Sequence, residues 1–387
     1  MSRNVRILLG VSILFGAGSG LYEFVLPYFL KEQGLSYPNM GWLFAISTGA
    51  MFVIRLASGR LVDRWGCKRP YVGALIGNGV AHLLTALTGN LVLLTLLKTA
   101  REVTFLLRET VHPILLYVEN QGRFRDFLGK TRGLEYLCLA VGTVLAGFSM
   151  AWWGNGNSLI LSGAILLLAG GLLQGGLQDR PASRGGASSP GAWWRWDLAP
   201  NLKVITLSTF LFNIGLSTSH SFIMPLFFSG KFGVSEQAVS VIMVIHRLTL
   251  ALPMMLAGKL PFRNLKAAYI WTLAWEGIFI SGGGLLPWFL PAAFVWLLHD
   301  LVGAGVWIPI QNEIIQRYCR DSVRGLDLSK TLALSSVGGA FGPLLAGYLA
   351  DYSLSAPFVV SGGLVFLGAL VLFRLRLEED PPASAME

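Results

Sequence analysis

Long apolar runs, broken at short intervals by clusters of charge, glycine and proline, set the pattern of this chain. The runs fall at residues 6–30, 39–58, 71–89, 91–118, 133–153, 157–177, 202–229, 236–257, 267–286, 291–315, 331–350 and 356–374, here called spans 1 to 12. Each is close to or above the roughly 20 residues that an α-helix needs to cross the hydrocarbon of a bilayer. A helix pairs its backbone amides internally, and an unpaired amide in lipid is too costly to keep. The pattern predicts an all-α polytopic membrane protein with twelve transmembrane helices. An even number of crossings returns both termini to one side.

The polar interruptions say which side that is. One set of loops, together with both tails, holds most of the basic residues, from Arg3 and Arg6 through Arg60, Arg64, Lys68 and Arg69 to Arg374 and Arg376. The opposite loops hold Lys31 and Lys231. Basic residues accumulate in cytoplasmic loops, so both termini are expected in the cytoplasm of a cell with a multi-pass protein in its plasma or inner membrane. Arg3 and Arg6 ahead of an apolar run have the outline of a secretory signal. The apolar run resumes through Leu21–Leu30 and more spans follow, which makes it a retained first span.

The longest interruption, 178–201, is rich in Pro, Gly and Ser and divides the spans six and six. It contains Trp193, Trp194 and Trp196, whose indoles suit the headgroup layer. The expected organisation is a six-helix bundle over 1–177, a cytoplasmic linker over 178–201, a second six-helix bundle over 202–375 and a cytoplasmic tail over 376–387. An internal repeat supports the division. At an offset of 200, Lys130-Thr131, Leu134, Ala140, Gly142 and Leu145-Ala146-Gly147 match Lys330-Thr331, Leu334, Ala340, Gly342 and Leu345-Ala346-Gly347. Gly59-Arg60-Leu61 matches Gly258-Lys259-Leu260 at an offset of 199. Repeated halves place a solute path at their interface near the bilayer midplane.

Composition agrees with lipid as the main solvent: 53% of residues are hydrophobic and only 13% charged, against about 25% charged in soluble domains. The net charge of +9 is a topology signal rather than a nucleic-acid footprint, because the charges follow the loops. The abundant glycines suit close helix packing, as in Gly73-x-x-x-Gly77. Cys67, Cys138 and Cys319 form no disulfide framework and no metal spacing. No metal and no cofactor is expected.

After span 2 comes Gly59-Arg60-Leu61-Val62-Asp63-Arg64-Trp65-Gly66-Cys67-Lys68-Arg69, with Arg55 four residues ahead. This resembles the major facilitator signature between spans 2 and 3, G-x-L-a-D-r-x-G-r-k-r, with Cys67 in place of a basic residue. The resemblance implies the two-bundle fold of that superfamily and a cytoplasmic latch made by Gly59, Asp63, Arg64, Gly66, Lys68 and Arg69. The second-half counterpart at 258–263 lacks the acid. Gly338-x-x-x-Gly342-Pro343-x-x-x-Gly347 in span 11 is similar to the glycine-proline pattern that antiporters of the family carry in span 5, and it also suits a close-packed helix interface.

Ionisable residues inside spans cost about 2.5–3.5 kcal/mol each and mark pathways. Span 4 concentrates them: Lys98, Arg101, Arg108 and His112 fall on one helical stripe, with Glu102 and Glu109 about 100° round. The resemblance implies that spans 1, 4, 7 and 10 line a central cavity. Glu23 of span 1 lies at the depth of Lys98 and Arg101 and is expected to pair with them. Glu23 or Glu109 is the candidate carrier of a coupling proton; the alternative for Glu23 is a permanent salt bridge. Asn213 and His220 of span 7 and Asp300 and Gln311 of span 10 are further candidate contacts. Arg247 and Glu276, in spans outside the expected cavity set, are expected to form a structural ion pair.

The reading is a secondary-active transporter that alternates access to a midplane cavity, moves a small anionic or zwitterionic solute, couples to protons and works as a monomer. No P-loop is present to supply ATP energy. A drug/proton antiporter is the alternative within the class. A membrane-embedded enzyme or a non-transporting receptor is the alternative outside it.

Overall fold

The computed structural model describes residues 3–65, 67–119, 124–178, 197–257, 262, 264–320 and 324–377; inside the helices, side chains at 52–65, 117–119, 124–130, 254–257, 324–326 and some single positions lie outside that description. Every regular element among the described residues is helical. The first half comprises α1 (Arg3–Glu32), α2 (Tyr37–Trp65), α3 (Lys68–Thr85), α4 (Leu91–Glu119) and α5 (Phe124–Gly176). Helix α5 holds two spans. Gly154 breaks it with φ 80° and ψ 169°, a backbone state in which a side chain would clash.

The second half comprises α6 (Pro200–His220), α7 (Ile223–Phe232), α8 (Glu236–Ala257), α9 (Leu265–Leu285), α10 (Phe289–Leu298), α11 (Gly305–Tyr318), α12 (Arg324–Tyr352) and α13 (Ala356–Val371). Two spans here are interrupted. Span 7 is α6 followed by α7, and span 10 is α10 and α11 joined by a π-helical turn over His299–Ala304. With α5 counted as two, the helices make twelve crossings. Six segments among the described residues are each long and apolar enough to cross a bilayer unaided; α4 fails that test because of its charges.

The repeat seen in the sequence is also a repeat of contacts. Asn4 at the start of α1 and Gln178 at the end of span 6 exchange amide hydrogen bonds of 3.2 and 3.0 Å. Asn201 at the start of α6 and Arg376 after span 12 do the same at 2.9 and 3.0 Å. Lys68 Nζ donates to the Leu177 carbonyl at 2.7 Å, and Lys266 Nζ donates to those of Phe373 and Leu375 at 3.0 and 2.8 Å. In each half a lysine opening the third span occupies the bare carbonyls at the end of the sixth, which no helical amide can reach.

Small residues bring the helix backbones together in equivalent places. Gly20 and Gly142 sit where α1 meets α5, against the carbonyls of Leu139 and Ala17. Gly338 and Gly342 sit where α12 meets α6, against those of Phe210 and Ile214. The two halves touch along α2 with α12 and α5 with α8. On the side opposite the termini this seam is tight: Gly41 packs on the Pro343 carbonyl, Gly347 on that of Tyr37, and Gly147 on Ser240. Trp42 Nε1 donates to Tyr348 Oη at 3.2 Å, and Tyr28 Oη to the Pro225 carbonyl at 3.3 Å, both across the seam.

Candidate functional site

A cavity of about 380 Å³ lies between the halves, lined from α1, α2, α4, α5, α6, α7, α8 and α12. Phe44 and Pro343 stand in its wall. Its polar wall is an ion-pair chain. Glu23 on α1 accepts from Arg101 Nη2 of α4 at 3.3 Å through Oε1. Through Oε2 it accepts from Arg247 Nη2 of α8 at 3.2 Å. Arg101 Nη1 also reaches Glu102 Oε1 at 2.9 Å, and Lys98 pairs with the same oxygen one helical turn back.

Three cations thus share two carboxylates in this wall. Lys98 and Arg101 are buried, whereas the side chains of Glu23 and Arg247 keep 35% and 23% of their exposure. Removal from water weakens the solvation of every charge here, so the surplus positive charge attracts an anion more strongly than it would on a surface. Aromatic faces support the cations: Lys98 Nζ lies 4.8 Å from the Phe44 ring centre, and the Arg101 guanidinium lies 5.1 Å from that of Tyr22. Each such contact offsets part of the desolvation.

Arg108, Glu109 and His112 lie outside this lining. Arg108 makes a two-pronged pair with Glu135 of α5, at 2.9 and 2.6 Å. It also pairs with Glu109, and Arg132 of α5 closes the square on Glu109 at 2.6 Å. Two cations and two carboxylates cancel. The seven-residue step from Arg101 to Arg108 is about 10 Å of helix, enough to carry Arg108 out of the cavity on the same stripe. His112 Nδ1 bonds Tyr71 Oη at 2.7 Å.

In the second half, His220 reaches the cavity. Asp300 sits behind it among His220, His246 and His299. Gln311 Nε2 donates to Tyr269 Oη at 2.7 Å and Thr209 Oγ1 at 3.1 Å, and Asn213 Nδ2 to the Thr209 carbonyl at 2.9 Å. The Tyr269–Gln311 pair mirrors Tyr71–His112 in the first half. The latch residues Gly59, Asp63, Arg64 and Gly66 lie outside the described side chains. Lys68 caps span 6 within its own half, and Arg69 is exposed.

The ion pair expected between Arg247 and Glu276 is not the one that forms. Arg247 turns into the cavity to Glu23. Glu276, fully buried, accepts from the Trp307 indole and packs on Gly303. Helix α8 presents Arg247 to the seam, while α9 presents Glu276 to the interior of its own half. Glu135, Arg132 and His246 were not among the expected residues. The rule that ionisable groups inside spans are functional or paired would have flagged Glu135 and His246 too.

Against known proteins, the family model described as Major Facilitator Superfamily matches residues 8–99 and 205–386. The chain is 23% identical over 400 residues to multidrug resistance protein 2 of Bacillus subtilis (strain 168), covering 98% of this chain and 96% of that one. It is 22% identical over 399 residues to the class H tetracycline resistance protein of Pasteurella multocida, covering 97% and 95%. Its fold superposes on the crystal structure of a mutant of the nucleoside transporter NupG with a TM-score of 0.81 at 12% identity, covering 96% of this chain and 99% of the other. With twelve crossings in two repeated halves, a cavity on their seam and this match across most of its length, the chain belongs to the major facilitator superfamily and is a membrane-spanning transporter.

Proposed function

We propose that this transporter is proton-coupled and carries a small organic anion or zwitterion between its halves. The observation that supports this reading is the cavity wall in which, among the described residues, Lys98, Arg101 and Arg247 share only Glu23 and Glu102. An anionic group entering the cavity neutralises the surplus and competes with Glu23 for two guanidinium groups. Protonation of Glu23 frees the same two groups. Proton and substrate therefore favour each other, which is the thermodynamic form of symport. The basic loops support a cytoplasmic side for both termini. The tight seam then closes the extracellular side, and 1–177 and 202–375 rock about the cavity as two bodies.

The second reading is drug/proton antiport. It is favoured by the names of two relatives, both resistance proteins, and by the aromatic and methionine groups Tyr22, Phe24, Phe44, Met224 and Met243 in the lining. One experiment separates the two. Purified protein is screened by thermal shift against organic anions and lipophilic cations, and each hit is followed into proteoliposomes with an imposed pH gradient. Gradient-driven uptake of an anion, lost in Arg101→Ala, supports the first reading. Transport of cations alone, indifferent to Arg101, overturns it.

A further inference from the structure

Behind the cavity wall, three imidazoles and a carboxylate meet in the second half. His246 of α8 and His299 and Asp300 of the π turn are all buried, and their candidate donor atoms lie within 4.8 Å of one another. His246 Nδ1 touches Asp300 Oδ2, and His299 Nε2 is 3.4 Å from Asp300 Oδ1. His220, at the end of α6, brings Nε2 to 2.9 Å from His299 Nε2. We propose that His246, His299 and Asp300, with His220 as the fourth donor, bind one divalent transition-metal ion of the zinc type.

The spacing fits such an ion. Four ligands at about 2.0–2.1 Å in a tetrahedron stand roughly 3.3 Å apart; the His220–His299 and His299–Asp300 separations of 2.9 and 3.4 Å bracket that value, and His246 and Asp300, now in direct contact, must move apart to admit the ion. The ligands are also oriented from behind. His299 Nδ1 donates to the Trp296 carbonyl one turn back, which leaves Nε2 bare and aimed at the cluster, as outer hydrogen bonds do for metal-bound imidazoles. His220 Nδ1 is held by Ser219 Oγ at 2.7 Å, itself 2.8 Å from Ser361 Oγ. The Trp296 ring, 4.7 Å from His246 and 4.9 Å from His299, closes one side with apolar surface.

A second observation is independent of the spacing. His246 Nδ1 and Asp300 Oδ2 are buried against each other, yet neither has a hydrogen bond of normal geometry. Buried polar atoms rarely stay unsatisfied, and an ion that parts this contact gives each of them a partner. The π turn has its own part in this. The wider turn shifts register so that consecutive residues His299 and Asp300 both turn inward, and such insertions gather at functional sites.

All four ligands belong to the second half. A cargo site in a rocking transporter lies where both halves can release it, so this ion is resident and moves with its half. His220 shares the cavity wall, which puts the ion one imidazole away from the solute. The sequence conceals the site because its ligands come from three spans without a spacing signature.

The test uses the full chain without a histidine tag, purified in detergent and stripped with chelator. Titration with Co(II) is expected to give one equivalent with the visible bands of a four-coordinate nitrogen and oxygen site, displaced by Zn(II). His246→Ala and His299→Gln should each weaken binding at least tenfold, while His82→Ala in the first half leaves it unchanged. X-ray absorption on zinc-loaded wild type needs no variant; a shell with imidazole scattering supports the site. Absence of stoichiometric binding to wild type, a shell without imidazole, or binding that survives both His246→Ala and His299→Gln overturns it. Gradient-driven accumulation of zinc in proteoliposomes overturns the resident role.

Discussion

Glu23 and Arg247 are 224 positions apart in the chain and meet at 3.2 Å across the seam between the two halves. If the halves rock as proposed, a charge pair that spans the seam must break or exchange partners. Glu23→Gln removes the proposed proton carrier and leaves Arg101 and Arg247 without their shared carboxylate. Accumulation driven by a pH gradient is expected to fall at least tenfold, whereas substrate exchange at equal pH continues, since exchange needs no net proton movement. Proteoliposome uptake with and without the gradient measures both.

Arg101 and Arg108 are separated by two helical turns and by role. Arg108→Met strands Glu135 in the interior, a loss of about 3–5 kcal/mol for a broken buried pair. The double change Arg108→Met with Glu135→Leu removes both charges and leaves Glu109 with Arg132, so most of that stability returns. Denaturant unfolding in detergent reads the difference. On the proposed function, Arg101→Ala is instead expected to abolish anion binding in the thermal-shift screen.

Gly347 packs on the Tyr37 backbone where α2 and α12 close the seam. Gly347→Val forces these helices apart at a cost of about 1–3 kcal/mol for overpacking. The closed side should open in a larger share of molecules. Spin labels on the loop ends of α2 and α12, read by pulsed electron resonance, are expected to show a longer distance population growing by about tenfold per 1.4 kcal/mol. An unchanged distribution counts against the seam.

At the terminal side, Asp327 accepts from Arg320 at 2.7 Å, and Asp197 accepts from Lys330 at 2.8 Å and Arg320 at 3.2 Å. Hydrogen bonds from Arg320 hold the Asp327 carboxyl below its ordinary range, and those from Lys330 and Arg320 do the same for Asp197. A depressed carboxyl stabilises the fold above the unfolded value of about 3.9 and loses that effect as pH falls through the folded one. Wild type should therefore unfold a few degrees above Asp327→Asn at a constant margin from pH 8 to about 5, with the margin closing below about pH 4.

The spans were legible because hydrocarbon imposes one length and one backbone solution. The halves were legible because Lys130-Thr131 and Leu145-Ala146-Gly147 recur at 330 and 345. That Asn4 and Asn201 clasp equivalent chain ends was not legible, since a buried amide in a polar terminal segment carries no pattern. Lys98, Arg101 and Arg108 read as one stripe because periodicity gives the azimuth of a side chain and not its depth. Glu135 neutralises Arg108 from another helix, and no spacing within α4 reveals that. Arg247 was assigned to Glu276 because both lie deep in spans outside the expected cavity set; which side of α8 faces the seam is decided by the packing of its Ser240 against Gly147 of α5.

Helix α12 has two working sides. Gly338 and Gly342 seat it against α6 within one half, while Gly347 and Pro343 meet α2 across the seam, in a contact that under the proposed rocking exists in one stage of transport. Bulk added to the first side should be felt as poor folding and low yield. Bulk added to the second should give well-folded protein stalled in its cycle, so a scan along this one rod sorts scaffold from moving part without knowledge of the solute.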